Sequence, residues 1–200
     1  SDTEVILHGY REWGKEVVHK LNGMWAFVLF DKKNDYLWLS RDRFGKKPLY
    51  YALIGDTFVF ASELTSLVLH PAVKPRIDEL SLIKYFAYGY VPAPRTMLAG
   101  IYKMPAAHHG VFSLRQRRLR IDRYWRYQTK PDEAWLGHEH ELGQLLVERL
   151  SNAVALRMQA DVPVGLFLSG GIDSSAISAL AAKHRDGDKI NSFSVGFHQK

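Results

Sequence analysis

Seven consecutive residues near the end of the chain, Ser169-Gly170-Gly171-Ile172-Asp173-Ser174-Ser175, bring together two glycines, three hydroxyls and one carboxylate. Side chains of these types at this spacing can cradle a polyphosphate. Gly170 and Gly171 lack a Cβ, so the backbone can turn tightly and aim several N–H groups at one anion. A helix beginning near Ser174 adds the positive end of its dipole. Ser169, Ser174 and Ser175 supply hydroxyl donors to the same phosphates. No lysine lies between Gly165 and Lys183, which separates this stretch from the G-x-x-x-x-G-K-[ST] loop of kinases and GTPases. Asp173 would repel phosphate unless a cation lay between them, so it reads as a ligand for Mg²⁺. A plain glycine turn with Asp173 or Ser174 as helix N-cap is the alternative, and the whole string behind an apolar strand outweighs it.

The elements that must position these residues are legible on both sides. Val162 to Leu168 is an apolar run of the length expected for a strand buried in a sheet, and Ala176 to Lys183 is alanine-rich and helical. The loop therefore belongs at the carboxyl end of a strand. Upstream, Leu142, Leu145, Leu146, Leu150, Ala153 and Val154 fall at helical spacing, so Glu139 to Gln159 is expected to be an amphipathic helix packing on the same sheet. Downstream, Asn191 to Phe197 follows at a separation that suits one βαβ crossover.

The string SGGIDSS resembles the pyrophosphate-binding loop of the N-type ATP pyrophosphatases, which cleave ATP between the α and β phosphates to adenylate a substrate. The resemblance implies that Ser169, Gly170, Gly171, Asp173, Ser174 and Ser175 hold the ATP pyrophosphate, with Asp173 on Mg²⁺. It also implies that Val195, on the next parallel strand, touches the adenine. A backbone contact to adenine falls near Phe167, where leucine is more usual in the family.

The rest of the chain reads differently. Leu7 to Lys20 has a helical pattern in which Trp13, Val17 and Leu21 share a face. Strands follow at Met24 to Phe30, Tyr36 to Ser40, Leu49 to Leu53 and Thr57 to Ala61, with Asp31 to Asp35 a polar turn and Gly55-Asp56 a tight hairpin pair. Met24, Trp25 and Phe27 are expected in the core. Leu64 to Leu69 and Leu80 to Tyr88 are short helices, Val91-Pro92-Ala93-Pro94 is extended, and Ile101 to Leu119 returns to β structure. Adjacent His108 and His109 in a strand point to opposite faces, which argues against one shared metal ion. The first region is thus α+β with an antiparallel sheet, and the region after residue 160 is α/β. Arg126 to His138 has no periodicity and contains Pro131 and Gly137, which suits a linker.

Two hundred residues with 46% hydrophobic and 12% aromatic content suffice for a buried core. The absence of cysteine excludes disulfides, thiolate metal sites and a cysteine nucleophile within these residues. There is no apolar run of membrane-spanning length and no signal-peptide pattern, so a cytoplasmic protein without membrane contact is expected. Much of the net charge of +6 comes from Arg115, Arg117, Arg118, Arg120, Arg123 and Arg126. A nucleic-acid surface is one reading, but Val111 to Tyr124 alternates as an exposed hairpin would, and no nucleic-acid partner is expected.

From Asp2-Thr3-Glu4-Val5-Ile6-Leu7 through Leu21-Asn22-Gly23-Met24-Trp25-Ala26-Phe27, Arg41-Asp42-Arg43-Phe44-Gly45, Lys47-Pro48-Leu49-Tyr50-Tyr51, Phe60-Ala61-Ser62-Glu63-Leu64 and Tyr90-Val91-Pro92-Ala93-Pro94-Arg95-Thr96, the chain resembles glutamine-hydrolysing asparagine synthetases of the B type. That resemblance implies the C-terminal part of a glutaminase domain over 1–125, with an α+β N-terminal-nucleophile-hydrolase-like fold. A linker at 126–138 and the N-terminal part of an α/β ATP pyrophosphatase domain over 139–200 would follow. It implies glutamine and aspartate as substrates, ATP and Mg²⁺, and a homodimer when full length. Asp2 matches the aspartate that holds the glutamine α-amino group, although taken alone it reads as a helix cap. The family's nucleophilic cysteine and several later synthetase residues have no match here, and Ser1 stands where the family has an interior residue. The chain is therefore expected to be a fragment that catalyses neither half reaction alone. The Arg41 to Gly45 turn is expected to fix the sheet, its charged groups pairing with backbone or each other.

Overall fold

A computed structural model describes residues 1–185 and 189–196 and divides into two compact units, 1–128 and 129–200. The first unit opens with helix α1 (Asp2–Trp13), a single 3-10 turn and the short α2 (Val17–Lys20). The helix starts earlier than the periodicity predicts. Asp2 and Glu4 place negative charge in its first turn, and Glu4 accepts a hydrogen bond from the Ser1 amino group at 3.0 Å.

Strands β1 (Ala26–Asp31) and β2 (Tyr36–Arg41) form a hairpin. Next come β3 (Tyr50–Ile54), β4 (Thr57–Ala61), α3 (Leu64–Val68) and α4 (Glu79–Tyr88). The unit closes with β5 (Tyr102–Lys103), β6 (His108–Ser113) and β7 (Arg118–Arg123). Two antiparallel sheets result, ordered β1-β2-β6-β7 and β4-β3-β5. A single sheet would leave half of these apolar side chains in water, because successive residues of a strand face opposite ways.

The parity of the buried residues gives the layering. On β1 and β2, Phe27, Leu29, Tyr36 and Trp38 pack against Val17 and Val18, while Val28, Leu37 and Leu39, with Phe112 of β6, pack against Tyr51 and Phe58 of the second sheet and against Met104. The other face of the second sheet, through Ala52 and Val59, meets Leu67 and Val73. The order is thus helices, sheet, sheet, helix, an α+β arrangement with antiparallel sheets as the sequence predicts for this region. Phe58 and Phe112 stack across the two sheets with centroids 4.1 Å apart.

Around the sheets, polar side chains mostly serve the backbone. Arg41 donates to the carbonyls of Lys47, Met104 and Gly45, and buried Asp42 accepts from the amides of Phe44, Lys46 and Lys47. This is the structural role expected of that turn. Tyr10 donates to Asp31 at 2.7 Å and meets the Tyr36 hydroxyl. The Asn34 side chain and the Tyr10 hydroxyl hold the Asp31 carboxyl down at about 2. Trp25, just ahead of β1, is buried with its indole N–H on Ser40 Oγ, and Phe27 is half-buried, but Met24 is exposed.

In the second unit a 3-10 turn at Glu133–Trp135 precedes α5 (Glu139–Arg157), β8 (Gly165–Phe167), α6 (Ile172–Lys183) and β9 (Asn191–Phe193). β8 and β9 pair in parallel, with Phe167 opposite Phe193. Val154 of α5 and Leu180 and Ala181 of α6 form the core, with Leu150, Met158, Leu166 and Ile190 packed against them. Both strands are shorter than the apolar runs suggest. Val162 is exposed and lies ahead of β8, where Pro163 has no N–H to give a ladder. Nor is β8 buried on both faces: Leu166 meets the helices, whereas Phe167 on the opposite face is 85% exposed. Leu142 and Leu146 of the α5 stripe are likewise exposed. No helix among the described residues is long and apolar enough to cross a membrane.

Candidate functional site

The chain leaves β8 at Phe167, turns through Leu168, Ser169, Gly170 and Gly171, and enters α6 at Ile172. This puts the turn at the carboxyl end of a parallel strand, where ligands of open α/β sheets bind. Gly170 has φ of +81° with no heavy atom within 4 Å of where a Cβ would stand. A side chain there would meet backbone strain rather than a clash. Gly171 is the extended N-cap, and the first helical hydrogen bond runs from the Ser175 amide to the Gly171 carbonyl at 3.1 Å. The amides of Ile172, Asp173 and Ser174 thus have no partner within the helix and are available to an anion.

The hydroxyls converge on the same end. Ser169 and Ser174 lie 3.1 Å apart through Oγ, and Ser174 also donates to the Gly171 carbonyl at 3.1 Å. Asp173 sits in the first turn of α6 and is exposed. The structure thereby brings together Ser169, Gly170, Gly171, Asp173, Ser174 and Ser175, and starts the helix two residues before Ser174. Among the described residues, no three His, Cys, Asp or Glu side chains are grouped to hold a metal ion by themselves. A lone carboxylate beside a phosphate cradle fits magnesium, which keeps several waters and is held by one or two carboxylates together with substrate phosphates.

The base of the loop is tied to β9. The Leu168 amide donates to the Phe193 carbonyl at 2.9 Å, and the Ser194 hydroxyl donates to the Leu168 carbonyl at 2.6 Å. Ser194 was not singled out by the sequence; its only signal there is its place in the run that carries Val195. Val195 lies two residues beyond the end of β9 and is 80% exposed, so it flanks the strand rather than forming part of it. Phe167 and Phe193 bring their rings to 6.4 Å. Asp2 belongs to the other unit, as the first residue of α1, and is exposed.

Two other features reduce competing sites. Within the arginine-rich hairpin β6–β7, Arg115 pairs with Asp35, Arg117 with Asp56 and Arg120 with Asp122. Ser151 Oγ lies 2.9 Å from His184 Nε2, but Nε2 is also 3.1 Å from the Ser151 carbonyl. A carbonyl only accepts, so that nitrogen carries the proton and cannot act as a base toward the hydroxyl.

Comparison with known proteins agrees with this division. A model described as "Glutamine amidotransferase domain" matches residues 1–125, and one described as "Asparagine synthase" matches residues 145–200. A Methanocaldococcus jannaschii protein whose name places it among glutamine-hydrolysing asparagine synthetases is 39% identical over 202 residues, 100% of this chain and 39% of its own length. Asparagine synthetase [glutamine-hydrolyzing] 3 of Bacillus subtilis (strain 168) is 36% identical, over 100% of this chain and 32% of its own length. Amidase chyE of Penicillium rubens is 33% identical, over 95% of this chain and 28% of its own. The chain thus spans well under half the length of these relatives. Glutamine phosphoribosylpyrophosphate (PRPP) amidotransferase from B. subtilis is a loose structural likeness, with 16% identity and a TM-score of 0.40 over 96% of this chain and 38% of that one. Since the first of the two models covers well over half of the residues, the chain belongs to the glutamine amidotransferase domain family, and its residues 145–200 are similar to the asparagine synthase model.

Proposed function

We propose that this chain serves ATP-dependent amide formation, converting aspartate to asparagine with ammonia released from glutamine and passing through β-aspartyl-AMP. The observation that carries the reading is the lysine-free loop from Ser169 to Ser175, at the carboxyl end of β8 and the start of α6, in a chain whose other part is a glutamine amidotransferase domain. A carboxylate is a poor acyl donor until its oxygen becomes part of a good leaving group, and AMP supplies that group. The amides of Ile172, Asp173 and Ser174 hold the departing pyrophosphate by donors fixed in advance; the Ser175 hydroxyl adds to them, and those of Ser169 and Ser174 join by rotating away from their mutual contact and from the Gly171 carbonyl. Asp173 would hold magnesium, which when bound supplies positive charge against the phosphate oxygens. Phe167 and Val195 flank the adenine, and Asp2 holds the α-amino group of glutamine.

In this reading residues 1–125 are the C-terminal part of the glutaminase domain, 126–138 the linker and 139–200 the N-terminal part of the synthetase domain. The full-length protein is a cytoplasmic homodimer. A second reading keeps the same loop but amidates another carboxylate, and the similarity to a protein named an amidase favours keeping it. The test is a carboxylate-substrate screen of the full-length protein, following pyrophosphate and AMP release with Mg²⁺ and ATP. Release with aspartate is expected, and release only with some other carboxylate selects the second reading.

A further inference from the structure

We propose that Ser194 is a positioning residue for the loop, an assignment that rests on the ATP reading above. In a parallel pair, a residue that donates to one partner residue accepts from the residue two positions further along. Leu168 donates to the Phe193 carbonyl, so the next rung of a continuing ladder would run from the Val195 amide to the Leu168 carbonyl. The structure puts a side chain there instead, the Ser194 hydroxyl donating at 2.6 Å. β9 ends at Phe193, and Val195 is released from the strand line.

The Leu168 carbonyl belongs to the same planar peptide as the Ser169 amide. In a trans peptide the N–H points opposite to the C=O. Holding Leu168 O toward β9 therefore aims the Ser169 N–H away from β9, and fixes the residue that opens the loop. Both backbone groups of Leu168 are held by consecutive residues, Phe193 and Ser194. The hydroxyl is exposed, so water can take its place at Leu168 O without loss of the fold. What is lost is the direction of the peptide.

The test uses the full-length protein with Ser194→Ala and Ser194→Thr, read by pyrophosphate release against ATP concentration, by glutamine hydrolysis and by thermal midpoint. Ser194→Ala is expected to raise the KM for ATP about tenfold, the size of one lost hydrogen bond, with a smaller change in kcat. Ser194→Thr, which keeps the hydroxyl, is expected to restore it, while glutamine hydrolysis and the midpoint stay at the wild-type values. An unchanged KM in Ser194→Ala overturns this assignment alone, as does a raised KM that Thr leaves unrestored. A wild-type protein that releases no pyrophosphate with any carboxylate overturns the ATP reading and this assignment with it.

Discussion

At the residue scale, the magnesium assignment turns on Asp173. It is the one carboxylate in the stretch from Gly165 to Lys183, and it stands among donors that otherwise favour anions. Asp173→Ala is expected to abolish aspartate-dependent pyrophosphate release in the full-length protein while leaving glutamine hydrolysis and the thermal midpoint unchanged. Turnover within twofold of wild type would remove the ion from Asp173. The turn itself was legible because Gly170 and Gly171 stand between an apolar run and an alanine-rich helical one, and β8 and α6 flank it as expected. Ser194 was not, because a serine after a strand has no signature until its hydroxyl is seen on the Leu168 carbonyl. Met24 misled for a related reason. Its apolarity suggests a core position, but it is exposed beside buried Trp25, and apolarity alone does not say which of two neighbours turns inward.

At the scale of elements, the best-read pieces are those whose ends carry local punctuation. Thr57 to Ala61 was read with its true ends because Gly55-Asp56 fixes the hairpin and therefore the register, Ile54 against Thr57. The turn of β6–β7 was legible in the same way from alternation around Arg115 to Arg117. The start of α1 was missed because Val5 and Ile6 are β-branched and break the apolar period, while the amino-terminal signal lies in Asp2 and Glu4. The run from Val162 to Leu168 overstated its strand because apolarity alone does not report how many neighbours a sheet supplies. One close approach gives an element-scale prediction. A Cβ on Gly9 of α1 would stand 2.5 Å from Cγ2 of buried Val17, so Gly9→Ala sets a helix-propensity gain of about 1 kcal/mol against overpacking of about 1–3 kcal/mol. Net destabilisation is expected, and a raised urea midpoint would show that the packing yields.

At the scale of the whole molecule, the two units argue in different ways. The first is specified by the parity of its strands, which sends alternate residues into two different apolar layers and so makes the sandwich almost unavoidable. The second, among the described residues, has one small core and a pair of strands, and its interest lies in the loop rather than in its packing. That loop is built from amides, hydroxyls and the single carboxylate of Asp173, and no His, Lys, Cys or Tyr lies between Gly165 and Ala182. Nothing in it ordinarily changes charge between about pH 6 and pH 9. The donors this loop offers an anion should therefore be the same across that range. A slope in the pyrophosphate-forming rate there is expected to come from groups outside the loop, the terminal phosphate of ATP among them. Serine variants of the loop should lower the rate by a constant factor, giving pH profiles parallel to the wild type.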